Sequence, residues 1–212
     1  MKKLICVSFT KNLLSLMAKI FTNKHGTRKE VIIQKAAMLY KSKSYTTASM
    51  RELAETLGVE APSLYNHIGS KSELLQIICF KVANNFIAKI EAIKSGGDSI
   101  TVKIEAVIRF HIKMMLDNFD EVYVANHEWK HLEDPYLGIF LDQRKTYESR
   151  MVLLIKEGIN NKELKNIHPH VAVLTILSAV RGLEFWQRHK KEISITVLEE
   201  NMVNHLLNGL TI

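Results

Sequence analysis

His127 and His131 stand four residues apart, one helical turn, with His111, His168 and His170 elsewhere in the same stretch of chain. Two imidazoles on one helix face can hold a metal ion. No Glu-Xaa-Xaa register and no cysteine joins them here, so surface or hydrogen-bonded histidines are the expected reading and no metal is expected. Nucleophilic and phosphate chemistry is equally poorly served. The sequence has no nucleophile elbow, P-loop, dinucleotide fingerprint or His-Glu-Xaa-Xaa-His. Cys6 and Cys79 are its two cysteines, too few for a disulfide framework, and read as reduced thiols of a cytosolic protein. Neither an enzyme nor a cofactor is expected.

The charge points to binding instead. The net charge is +7 over 212 residues. Residues 1–23 carry four Lys and no acid, and residues 24–75 carry eight Lys/Arg against five Asp/Glu. Residues 76–212 hold seventeen of each, so the whole excess lies in the first third. A basic segment beside a neutral remainder suits a polyanionic partner. Residues 1–26 read as a basic N-terminal extension; its apolar run is short for a signal peptide and no small-residue cleavage site follows. Translation from Met17 is an open alternative. No stretch is long and apolar enough to span a bilayer, so no membrane is expected as partner and the cytoplasm is the expected location.

Positioning falls to helices. Hydrophobic residues make up 47% of the chain, prolines number only three, and apolar positions recur at helical spacing, which predicts an all-α fold. Thr27 with Glu30, Ser49 with Glu52 and Ser70 with Glu73 have capping-box spacing. A helix from Ser49 carries Met50, Leu53, Ala54 and Leu57 and stops at Gly58; Pro62 suits the first turn of the next, which Gly69 ends. Two short helices around a glycine turn are a helix-turn-helix signature. Longer helices are expected over about 74–93, 100–118, 122–132, 137–160, 169–190 and 196–208.

Residues 27–75 resemble the DNA-binding domain of the TetR family of bacterial repressors. The resemblance rests on Ile32-Ile33, Ala36, Leu39-Tyr40, Tyr45, Ser49 to Ala54, Gly58-Val59, Leu64-Tyr65-Asn66-His67 and Lys71 to Leu75. It implies that Tyr65 and Lys71 contact phosphates, that Ser49 bonds a phosphate or caps its helix, and that Arg51 touches the backbone of a double-stranded operator. Ala61, Ser63, Asn66 and His67 would lie on or near the exposed face of the recognition helix, where Asn can pair with adenine. Lys24, Arg28 and Lys29 would reach a phosphate or the minor groove, or remain solvated. Three positions depart from the family pattern. Ser44 replaces a usual Gly, Glu60 a usual Ser or Thr cap, and Ile68 a common Phe.

By the same resemblance, residues 76–212 form a larger helical domain for ligand binding and homodimerisation, with helices at about 141–160 and 169–190 as dimer elements. The Glu128-Trp129-Lys130-His131-Leu132 and Gly182-Leu183-Glu184-Phe185-Trp186 segments, with Arg144 and Tyr147, resemble a branch that senses acyl-CoA thioesters. Phe110, Met114, Trp129, Phe140, Arg144 and Tyr147 are the candidate ligand residues. Ile77, Phe80 and Phe86 are further apolar candidates, and Arg109 or Lys145 could meet a phosphate. The reading is a ligand-responsive repressor, released from a palindromic operator by a small hydrophobic or acyl-CoA-like effector. The alternative is a DNA-binding architectural protein with no such effector.

Overall fold

The computed structural model describes residues 28–186 and 193–212. The basic extension, Lys24, Thr27 and residues 187–190 lie outside the described residues. Among those described, regular structure is helical: α1 (Arg28–Lys43), α2 (Met50–Leu57), α3 (Ala61–Tyr65), α4 (Lys71–Ser95), α5 (Ile100–Asp117), α6 (Phe119–His127), a 3-10 turn (Trp129–His131), α7 (Tyr136–Asn160), α8 (Pro169–Arg181), α9 (Leu183–Trp186) and α10 (Ile195–Leu210). No helix among the described residues is long and apolar enough to cross a membrane.

The small N-terminal bundle closes on Ile32, Ala36, Tyr40, Leu53, Leu64, Ile68 and Leu74, all nearly inaccessible to solvent. Ser49 and Glu52 form both bonds of a capping box. Gly58 ends α2 in the left-handed region (φ 65°), and the Val59 N–H reaches back to the Ala54 carbonyl at 3.0 Å. Ala54 is buried where α2 meets its neighbours, so the sharp turn needs both small residues. Ser70 accepts from the Glu73 N–H, but Glu73 Oε2 reaches the Gly69 N–H instead of completing the expected box.

Three helix ends differ from expectation. Helix α3 ends at Tyr65, and Ile68 is drawn into the core through a turn whose N–H bonds the Leu64 carbonyl at 3.0 Å. The helix expected over 122–132 breaks after His127, because Glu128 begins a tighter 3-10 turn that swings Leu132 into the core. The helix expected over 169–190 is interrupted at Gly182, beyond which α9 is a single turn.

The larger bundle is wrapped around α5, which packs against α4, α7, α8 and α10. Helix α4 crosses from the small bundle into the large one without a break, and α6 lies against both α1 and α4. Asp120 of α6 pairs with Lys41 of α1, and the buried Glu121 accepts from Lys81 of α4 at 2.9 Å. The first turn of α6 thus ties the two bundles together with two ion pairs.

Candidate nucleic-acid interface and internal cavity

Short helix α3 presents its polar side outward. Tyr65, Asn66 and His67 are exposed, whereas Leu64 just before them is buried and fixes the rotation of the helix. Ala61 and Ser63 are half-buried at its start. Tyr65 stands 52% exposed, an uncommon position for so large a ring unless it meets a partner. Glu60 is the N-cap residue, and its side chain makes no capping bond, so a carboxylate stands at the mouth of this helix.

Ser49 is committed to capping α2: its hydroxyl accepts from the Glu52 N–H at 3.2 Å. Arg51 is exposed and paired with Glu55 one turn on. Lys71 lies over the Tyr45 ring, 4.5 Å from its centre, and donates to the Thr46 carbonyl at 3.2 Å. Partial burial lowers the affinity of this ammonium for its proton, against a smaller opposing pull from Glu52. Lys29 contacts Glu73 at 3.9 Å. Ser44, at the usual glycine position, takes a left-handed conformation (φ 71°) and its hydroxyl lies 3.0 Å from that of Thr46.

A second feature is a cavity of about 140 Å³ among α4, α5, α6, α7 and α8. Its apolar wall includes Val82, Phe86, Met115, Val122, Phe140 and Leu177. Polar groups converge on it: Asn126, Gln143, Arg144, Tyr147, Glu148 and Arg181, with His111. His111 Nε2 and Tyr147 Oη lie 2.7 Å apart. Burial drives the histidine pKa down to about 3, with a smaller push from Arg181, so the imidazole is neutral. Burial raises the Tyr147 phenol, which stays protonated. Burial also weakens proton binding by Arg144, and the positive charge of Arg181 adds to this. Gln143 donates to Asn84 at 2.9 Å, while its Oε1 is buried with no partner among the described residues.

Of the six ligand residues expected from the sequence, Phe140, Arg144 and Tyr147 line this cavity. Phe110, Met114 and Trp129 do not. On α5 the cavity edge runs through His111 and Met115, one position round the helix from Phe110 and Met114. Phe110 packs edge-on to Phe86, and Trp129 stands behind Arg144, whose guanidinium lies 5.8 Å from its ring centre. Arg109 pairs with Glu105 and Glu199. Gln143, Arg181 and the cavity role of His111 were missed; spacing gives no sign of which polar residues of a helix face inward. His127 bonds Glu184 and His131 stacks on Tyr45, so the two histidines have separate partners.

A family model described as "Tetracyclin repressor-like, C-terminal domain" matches residues 97–210, and one described as "Bacterial regulatory proteins, tetR family" matches residues 32–78. The chain belongs to the TetR family. This TetR-family regulator is 20% identical over 200 residues to the HTH-type transcriptional repressor KstR2 of Mycolicibacterium smegmatis, covering 92% of this chain and 96% of that one. The structure of the ketosteroid transcriptional regulator KstR2 of Mycobacterium tuberculosis superposes with a TM-score of 0.82 at 16% identity, over 89% of this chain and 97% of that one. AibR in complex with isovaleryl coenzyme A and operator DNA superposes with a TM-score of 0.75 at 20% identity, over 85% and 98%. The TetR-family fold therefore spans both bundles: a helix-turn-helix of the DNA-binding repressor type followed by the family's C-terminal domain.

Proposed function

We propose that this regulator binds a palindromic operator as a homodimer and is released by an acyl-CoA thioester entering the cavity. The observation that carries the reading is the cavity's set of polar groups. Arg144 and Arg181 offer two cations to an anionic ligand, while the wall around Phe86 and Phe140 is apolar. Gln143 Oε1 has an unused acceptor for an amide N–H of the pantetheine arm. If His111 donates to Tyr147, the phenol proton is free to meet the thioester carbonyl. The likeness to KstR2 and to AibR, whose structure holds isovaleryl coenzyme A and operator DNA, supports the same class.

On the DNA side, Tyr65 and Lys71 are assigned to phosphates, with Ser49 and Arg51 beside them. Ala61, Ser63, Asn66 and His67 are assigned to the base-facing edge of α3. One helix-turn-helix reads one half-site, and half-sites recur about 34 Å apart, so two copies are required. Val171, Leu174 and Phe185 are 57%, 65% and 68% exposed on α8 and α9, an apolar strip suited to a second copy. The regulator would act in the cytoplasm, where the chromosome is. Ligand acts only through its differential affinity for the DNA-bound and free conformations.

The test begins with a duplex selected by the protein from a random-sequence pool. Isovaleryl-CoA and a long-chain acyl-CoA are then titrated into the complex. Release at micromolar thioester, but not with free CoA, is the expected result. A complex that survives saturating amounts of both thioesters would falsify the effector assignment and leave the DNA assignment standing.

A further inference from the structure

Three aromatic and cationic contacts run in series between the cavity and the DNA-facing side. Arg144, on the cavity wall, lies 5.8 Å from the Trp129 ring centre. Trp129 and His131 share one 3-10 turn. The His131 ring stacks on Tyr45 with centres 5.4 Å apart and an interplanar angle of 25°. Tyr45, on the small bundle, carries the Lys71 ammonium 4.5 Å from its ring centre, and it meets Tyr40 edge-to-face with centres 5.4 Å apart. Lys71 spends one donor on the Thr46 carbonyl, which leaves two for a phosphate.

We infer that His131 is a positioning residue for Lys71, and that the Trp129–His131 turn passes a displacement of Arg144 on to the DNA contact. The inference rests on the assignment of Lys71 to a phosphate. Its physical basis is directional. A lysine has four rotatable bonds and is costly to hold still. A ring beneath the ammonium fixes it only while the ring itself is fixed. Tyr45 is half-buried, and its faces are held by its neighbours rather than by enclosure. Removing the imidazole strips one face of its support, leaving the Ser72 hydrogen bond and the Tyr40 contact to hold the ring, and the ammonium loosens with it. Motion of Arg144 on ligand entry reaches the same ring through a turn of three residues. The ion pairs of Asp120 and Glu121 hold the bundles together, but neither touches a group assigned to DNA.

The experiment measures affinity for the selected duplex between about 50 and 200 mM salt. Lys71→Ala should weaken binding about tenfold and reduce the salt slope by about one. His131→Ala should weaken binding about fivefold and flatten the slope in the same direction, and should add little to Lys71→Ala. His131→Phe, which keeps a ring against Tyr45, should restore both. Tyr45→Leu is the second variant if His131→Ala folds poorly. The sequence has two tryptophans, so in a Trp186→Phe background the Trp129 emission should shift on duplex binding and on Arg144→Ala. Unchanged binding by His131→Ala and Tyr45→Leu, with Lys71→Ala impaired, overturns the inference alone. Unchanged binding by Lys71→Ala overturns the phosphate assignment and this inference with it. Silent Trp129 emission overturns the link to the cavity.

Discussion

Ser44 holds a left-handed backbone at φ 71°, which costs a residue with a Cβ roughly 1–2 kcal/mol. Its hydroxyl contacts with Thr46 and Thr47, at 3.0 and 3.3 Å, recover part of that. Glycine takes this conformation freely but loses more freedom on folding. Ser44→Gly should therefore gain about 0.5–1 kcal/mol and raise Tm by roughly 1–4 °C in a thermal melt. An unchanged or lower Tm would show that the hydroxyl contacts outweigh the strain. His111 sets a different residue-level dependence. In the unfolded chain it titrates near 6.5, whereas in the fold its pKa is about 3. The unfolded state binds the extra proton, so stability falls as pH drops below 6.5 and continues to fall towards 3. Between pH 7.5 and 5 the loss from this one group is about 2 kcal/mol. His111→Gln should flatten the Tm-against-pH curve over that interval; an equally steep curve would assign the dependence to other groups.

At the scale of elements, the join between bundles depends on α6. Glu121 is 4% exposed and its carboxylate is answered by Lys81, whose side chain is about a quarter exposed. Lys81→Met leaves that carboxylate buried without its cation and should cost about 2 kcal/mol, less than the roughly 3–5 kcal/mol of fully buried pairs because water reaches the lysine side. The double variant Lys81→Met/Glu121→Leu should recover much of the loss in urea denaturation. A double variant as unstable as the single would mean that packing rather than charge holds α6. The helices themselves were legible from apolar spacing and caps, as Ser49, Glu52 and Gly58 show. Their ends were less so. Where α6 stops depends on Leu132 being pulled into the core, and where α3 stops depends on Ile68, both tertiary effects with no local marker. Met114 and Met115 differ by one position on a helix that is buried on several sides. The sequence marks Met114 as a ligand candidate, and only the surrounding bundle selects its neighbour Met115 for the cavity. Arg181 was legible as a charge but not as a neighbour of Arg144, which lies 37 positions earlier in the chain.

For the whole molecule, the basic first third and neutral remainder divide the labour between attraction to a polyanion and burial of apolar surface. The proposed pairing of two copies is tested at the surface that the large bundle leaves uncovered. Leu174→Glu places a charge in the middle of the exposed apolar strip of α8 and should leave the helical content intact. Sedimentation should then show a single chain, and affinity for the selected duplex should fall at least a hundredfold as the second half-site is lost. A Leu174→Glu protein that still sediments as a pair would move the interface elsewhere. Helix α4 is the element through which the proposed release would act. Its 25 residues make an unbroken rod that starts at Lys71, just after the helix-turn-helix, and reaches Phe86 at the cavity fifteen residues on, about 22 Å along its axis. Pivoting that arm by about 5° would sweep its first turn through roughly 2 Å, more than the tolerance of a hydrogen bond. Under the proposed function, a wedge only one methylene thick at the cavity would thereby be enlarged into a misfit across two successive turns of duplex.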